Sequence, residues 1–214
     1  MRESGLQARY SLVVMIALGL TTALVGQQKN SPKQAGHSGH DYTGAPASPA
    51  DPKPRVSLPD LEVFDQNGRT RKSYTDLIKG RVVIINFVYT SCTAFCPMSG
   101  DNFSRLQTQL GERLGKDVYL MSVTTDPVTD TPDKLKTWGE RFKARNGWTL
   151  VTGRKDSMTE LLRVLTGDGP RTGYHVPGVV IVNDVRGNSR RVYGLEAPER
   201  LIKLTDELAQ LPKG

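Results

Sequence analysis

Arg81-Val82-Val83-Ile84-Ile85-Asn86-Phe87-Val88-Tyr89-Thr90-Ser91-Cys92-Thr93-Ala94-Phe95-Cys96-Pro97 decides the fold. Its first half is an apolar run that does not alternate, as expected of a strand covered on both faces. Its second half carries the only two cysteines of the chain, four residues apart. On a helix that spacing puts both sulfurs on one face. Pro97 suits a first helical turn, so the thiols are expected near the positive end of a helix dipole, which favours thiolate. Two soft thiolates side by side suit Cu(I), Zn or a disulfide. A bridge across three residues closes so short a loop that it removes little unfolded-state entropy. The pair therefore reads as reactive rather than as a staple.

Outward from this stretch, strands and helices alternate. Leu61-Glu62-Val63-Phe64 reads as a short strand, ended by a turn at Asn67-Gly68. After the cysteines, Phe103, Leu106, Leu110 and Leu114 form one helical stripe. Asp117 to Val123 is a strand, and Thr131-Pro132-Asp133 starts a helix with Leu135, Trp138 and Phe142 inward. Trp148 to Val151 is a strand. Met158, Leu161, Leu162 and Leu165 mark a helix that stops at Gly167. Val179 to Val182 and Arg190 to Tyr193 form a hairpin, and a last helix runs from Pro198 to Gln210 with Leu201, Leu204 and Leu208 inward. That order predicts an α/β thioredoxin-like fold, with a central mixed sheet flanked by helices. It occupies residues 56–214.

Before the domain, composition changes twice. Residues 1–26 hold an apolar run, Tyr10 to Val25, behind two arginines, and read as a signal peptide or N-terminal membrane anchor. The run is short for a full span, which needs about twenty residues. Its cleavage sites are mediocre, and no cysteine follows it to carry a lipid. Residues 27–55 are polar and proline-rich, with Pro46, Pro49, Pro52 and Pro54, and read as a flexible tether. The domain is thus expected to be exported, on the periplasmic or extracytoplasmic side of a membrane, where disulfides are permitted. Charge is 29 basic against 22 acidic residues, net +7. The basic residues are scattered and no run interleaves with aromatics, so no nucleic-acid partner is expected.

Three histidines complete the candidate ligands. His175 lies in Gly173-Tyr174-His175-Val176-Pro177-Gly178, just before a strand whose start abuts the cysteine loop in a thioredoxin-like topology. Cys92, Cys96 and His175 would then make a three-ligand copper site. Zinc competes, but a structural zinc site normally takes four protein ligands and no fourth is evident. Asp126 could supply a carboxylate, yet Asp126-Pro127 after a strand is equally a turn leading to a helix. His37 and His40 sit in the tether as a solvated linker or a weak Cu(II) trap. A peroxidase reading would rest on Thr93 and Cys96 alone.

Asn86-Phe87-Val88-Tyr89-Thr90-Ser91-Cys92-Thr93-Ala94-Phe95-Cys96-Pro97 and Ser122-Val123-Thr124-Thr125-Asp126-Pro127-Val128-Thr129-Asp130-Thr131-Pro132, with His175 before a strand, resemble the SCO/SenC family. These are thioredoxin-fold proteins of cytochrome oxidase assembly. The resemblance implies a copper ion held by Cys92, Cys96 and His175, with Asp126 as a supporting residue. It implies a metallochaperone whose partner is the copper-accepting subunit of a respiratory oxidase, delivering copper to a binuclear centre or reducing that centre's cysteines. One departure stands out: Val176-Pro177-Gly178 follows the histidine, where the family runs straight into apolar residues. Ordinary thioredoxins place a proline there, which keeps thiol-disulfide oxidoreductase activity of Cys92 and Cys96 open as the alternative.

Overall fold

The computed structural model of this chain describes residues 53–54, 57–167 and 178–213. The predicted central strand is there: β4 (Val82–Val88) is buried at every position from Val83 to Val88. It lies at the middle of an eight-stranded mixed sheet of order β1-β8-β7-β4-β5-β6-β2-β3. The flanking strands are β1 (Lys53–Pro54), β2 (Glu62–Asp65), β3 (Thr70–Lys72), β5 (Val118–Thr124), β6 (Trp148–Thr152), β7 (Gly178–Asn183) and β8 (Asn188–Tyr193). Strands β4, β5 and β6 are parallel, and every other pairing is antiparallel.

Among the described residues four helices cover the sheet: α1 (Phe95–Leu110), α2 (Pro132–Arg141), α3 (Lys155–Thr166) and α4 (Pro198–Gln210). Alternate residues of β4 face opposite layers. Ile84 and Val88 pack with Phe103 and Leu106 of α1, Leu135 and Trp138 of α2, and Leu201 and Leu204 of α4. Val83, Ile85 and Phe87 pack instead with Met158, Leu161 and Leu165 of α3 and with Leu77 and Ile78. Burying one such side chain contributes roughly 1.5–3 kcal/mol. Three aromatic rings centre the first layer: Trp148 lies 5.7 Å from Phe103 and 6.2 Å from Trp138, centroid to centroid.

The structure differs from the sequence reading in several places. The stripe carried to Leu114 ends in the helix at Leu110, because Gly111 takes a positive φ of 54° that breaks α-helical geometry. Leu114 still packs against the core after a single 3₁₀ turn, Gly111–Arg113. Phe142 likewise falls one residue past α2. Strand β3 carries no apolar alternation to announce it. Thr70–Lys72 pairs with β2 across the expected Asn67-Gly68 turn as a short charged edge. The other edge is β1, two residues within the segment read as tether, pairing with Ser189 and Asn188 of β8.

Strand direction fixes where chemistry can gather. Val88 and Thr124 end β4 and β5 side by side, Val179 at the start of β7 lies opposite Asn86, and Tyr193 at the end of β8 lies opposite Gly178. The loops after β4 and β5 and the entry to β7 therefore share one end of the sheet.

Candidate metal centre

After Val88 the chain turns through Tyr89-Thr90-Ser91, and the Cys92 N–H donates to the Tyr89 carbonyl at 3.2 Å. Helix α1 starts at Phe95 with Ala94 as its N-cap, and Ala94 makes no side-chain cap bond. Backbone N–H groups at the start of the helix converge on sulfur instead. The Cys96 N–H donates to Cys92 Sγ at 3.3 Å, and the Ala94 N–H also bonds to it. Cys92 thus lies ahead of the helix rather than on its face, as the spacing alone suggested, and its sulfur serves as the helix cap. Cys96 is in the first turn, with Pro97 next to it where a missing N–H is harmless.

Both cysteines are unbridged and buried, Cys92 8% and Cys96 2% exposed. Their acidities move apart. Burial opposes ionisation of Cys92, but the Cys96 N–H, the Tyr89 hydroxyl, the Ala94 N–H and the Cys96 thiol outweigh it and lower its pKa. Burial pushes the Cys96 thiol up to about 12, against a backbone hydrogen bond from Tyr89 and with help from the charges of Cys92 and Asp130. Tyr89 is pushed up to about 12 by burial and by its hydrogen bond to Cys92. Cys92 is the sulfur prepared to be a thiolate, and Cys96 is the proton-bearing neighbour that bonds to it. Two adjacent soft donors, one poised to ionise, fit a thiophilic ion such as copper or a thiol-exchange step.

Two buried hydrogen-bond networks hold this loop. Asp130, fully buried, accepts the Thr90 N–H at both carboxylate oxygens, 3.1 Å each. The Thr90 and Thr124 hydroxyls also donate to it, at 2.5 Å each. That carboxylate ties the loop after β4 to the loop after β5. On the other side, Asn86 Nδ2 donates to Ser99 Oγ at 2.9 Å, one helical turn beyond Cys96. Ser122 Oγ donates to Asn86 Oδ1 at 2.6 Å, and Trp148 Nε1 donates to Ser122 Oγ at 2.9 Å. All four residues are buried, and their polar atoms satisfy one another.

Asp126 is half-buried and organises its own turn. Its Oδ1 accepts the Thr129 N–H at 3.3 Å, and its carbonyl accepts the Asp130 N–H at 2.9 Å. The carboxylate whose charge reaches Cys96 is Asp130. The sequence reading did not single out Asp130, Asn86 or Tyr89. Asn86 was legible as the lone amide in an apolar run, and Asp130 as the second acid of the quoted Asp126–Pro132 segment. His175 and Pro177 lie outside the described residues, as do His37 and His40. Among the described residues no three of His, Cys, Asp and Glu gather as a metal cluster, and no helix is long and apolar enough to cross a membrane.

Known proteins are similar to this chain in sequence and in fold. A SCO2-like protein of Rickettsia conorii is 37% identical over 105 residues, 48% of this chain and 47% of that protein. The chain thus spans about half the length of the curated relatives it matches. Among solved structures, a SCO1/SenC family lipoprotein from Bacillus anthracis superposes with a TM-score of 0.63 at 25% identity, over 76% of this chain and all of that one. ScoI of Bradyrhizobium japonicum with copper bound has the same fold, with a TM-score of 0.57 at 20% identity, over 77% of this chain and 99% of that one. The SCO1/SenC family model matches residues 51–168, which takes in the whole cysteine loop and the Asp126–Pro132 segment, and the chain belongs to that family.

Proposed function

We propose that this protein is a copper-binding metallochaperone that carries copper as cargo on Cys92, Cys96 and His175. It would hand the ion to the copper-accepting subunit of a respiratory oxidase, at that subunit's binuclear site. The observation that carries this reading is the pair of buried, unbridged sulfurs held against the N-terminus of α1. Copper bound in a family relative supports it. Residues 1–26 would anchor the exported domain to the membrane, with residues 27–55 as the reach between them. Asp126 supports the site through the turn that presents Asp130. The test is a copper titration of the protein, followed by the thiolate-to-Cu(II) absorption band. Stoichiometric copper with loss of the band in Cys92→Ser and weakened retention in His175→Ala is expected. No retention by the wild type sinks the reading.

A second reading is thiol-disulfide exchange on cysteines of that or another exported protein. The opposed acidities of Cys92 and Cys96 favour it, because exchange needs one thiolate to attack and one thiol to resolve. It predicts that His175→Ala leaves reductase activity on a disulfide substrate intact while either cysteine change removes it. The two roles are compatible, since copper loading needs the reduced pair.

A further inference from the structure

A second polar site lies at the end of the sheet away from the thiols. A cleft of about 380 Å³ opens between the β2–β3 hairpin, the end of α2 and the loop entering β6. Its charged lining is Arg69, Arg71, Lys136 and Arg145, with Asp65 and Glu140. Asp65 is already committed: Oδ1 accepts the N–H groups of Asn67 and Arg69 at 2.9 and 3.1 Å, and Oδ2 accepts Arg71 Nε at 3.1 Å. That bond holds the Arg71 guanidinium by one edge only. Arg145 is held the same way, its Nη2 donating to the Gln107 carbonyl at 2.7 Å while its backbone N–H donates to Gln107 Oε1 at 3.1 Å. Gln107 is itself fixed by donating to the carbonyls of Phe142 and Lys143. Among the described residues Arg69 and Lys136 form no ion pair, and both are exposed.

We propose that this cleft binds a phosphate group, free in solution or carried on an anionic lipid headgroup. Two guanidiniums anchored by internal bonds keep donors to spare, and their fork suits phosphate oxygens in paired contacts. Anchoring removes part of the ordering cost that binding otherwise incurs. Two further cations, Arg69 and Lys136, meet one further carboxylate, Glu140, so the cleft carries a positive excess that a phosphate group offsets. The volume falls in the range of small-ligand clefts.

The test uses the full chain in neutral detergent, titrated by calorimetry with inorganic phosphate and separately with dihexanoyl phosphatidylglycerol below its micelle concentration. Saturable binding is expected, weaker by about ten-fold in the Arg69→Ala/Lys136→Ala double variant and suppressed by added sodium chloride. Among the described residues those two side chains form no ion pair, and circular dichroism of the variant confirms the fold. Binding of inorganic phosphate assigns the source as free phosphate; binding of the lipid alone assigns it as a headgroup. No saturable heat with either probe, or equal affinity in the double variant, overturns the proposal. So does binding seen only with an oligoglutamate peptide, which would make the cleft a docking site for an acidic segment.

Discussion

Where β4 and β5 finish, the polar groups are buried and mostly neutral; where β6 begins, the charged side chains are mostly exposed and cationic. Asn86, Ser99, Ser122 and Asp130 are at most 4% exposed, whereas Arg69, Lys136, Glu140 and Arg145 face solvent. The physical consequences differ. A buried donor or acceptor that loses its partner bears the desolvation cost of that group, about 1–3 kcal/mol, while an exposed charge can turn to water. Geometry is therefore locked at the thiol end and tolerant at the cleft end. The thiol end should respond to single-atom changes, and the cleft to salt.

Substitutions can break that contrast, and the largest effect belongs to the sulfurs. Cys92→Ser or Cys96→Ser should weaken copper retention by at least about 100-fold, measured by competition with a Cu(I) chelator. Unchanged retention would remove the thiol end from the chemistry altogether. Next is Asn86→Leu, which strands the Ser99 and Ser122 hydroxyls together. Chemical denaturation should show a loss of about 3 kcal/mol. Asp130→Asn keeps the shape but turns one acceptor into a donor facing threonine hydroxyls, and should cost about 2 kcal/mol in the same assay. A loss below about 0.5 kcal/mol in both would show that the networks are not what fixes the loop.

A pH series sharpens the contrast further. The Cys96 pKa is raised, so its stabilising contribution is complete below the unfolded thiol value of about 8.5. That contribution is lost as pH rises through about 12. The Cys92 pKa is lowered, so its contribution is present above the unfolded value and lost as pH falls through the folded one. Alkylation with iodoacetamide should mark Cys92 well before Cys96 as pH is raised, and equal rates would contradict the split. The smallest effect is expected at the cleft, where Arg71→Ala should lower the unfolding free energy by about 0.5–1 kcal/mol. A change above about 2 kcal/mol there would mean that the cleft end is locked as well.

The fold was readable because its signals are local and apolar. The unbroken run Val82–Val88 announced a strand covered on both sides, and Leu201, Leu204 and Leu208 kept helical spacing over all of α4. Strand β3 was not readable, since Thr70–Lys72 is held by pairing with β2 rather than by any pattern of its own. The cysteines stood out by rarity and spacing. The role of Cys92 as a helix cap did not, because it depends on Ala94 leaving the first turn of α1 uncapped. Asp130 was obscured for a similar reason. Its partners Thr90 and Thr124 lie on the loop after β4 and at the end of β5, and only the parallel pairing of β4 with β5 brings them together.

The chain Trp148–Ser122–Asn86–Ser99 has one more consequence. It links an indole in the first core layer, bond by bond, to the helix turn that bears Cys96. Any event at the sulfurs that shifts α1 alters the hydrogen bond at Trp148 Nε1, and with it the polarity that the indole senses. The protein thus contains its own optical probe, and its intrinsic emission should report loading or oxidation without any added label.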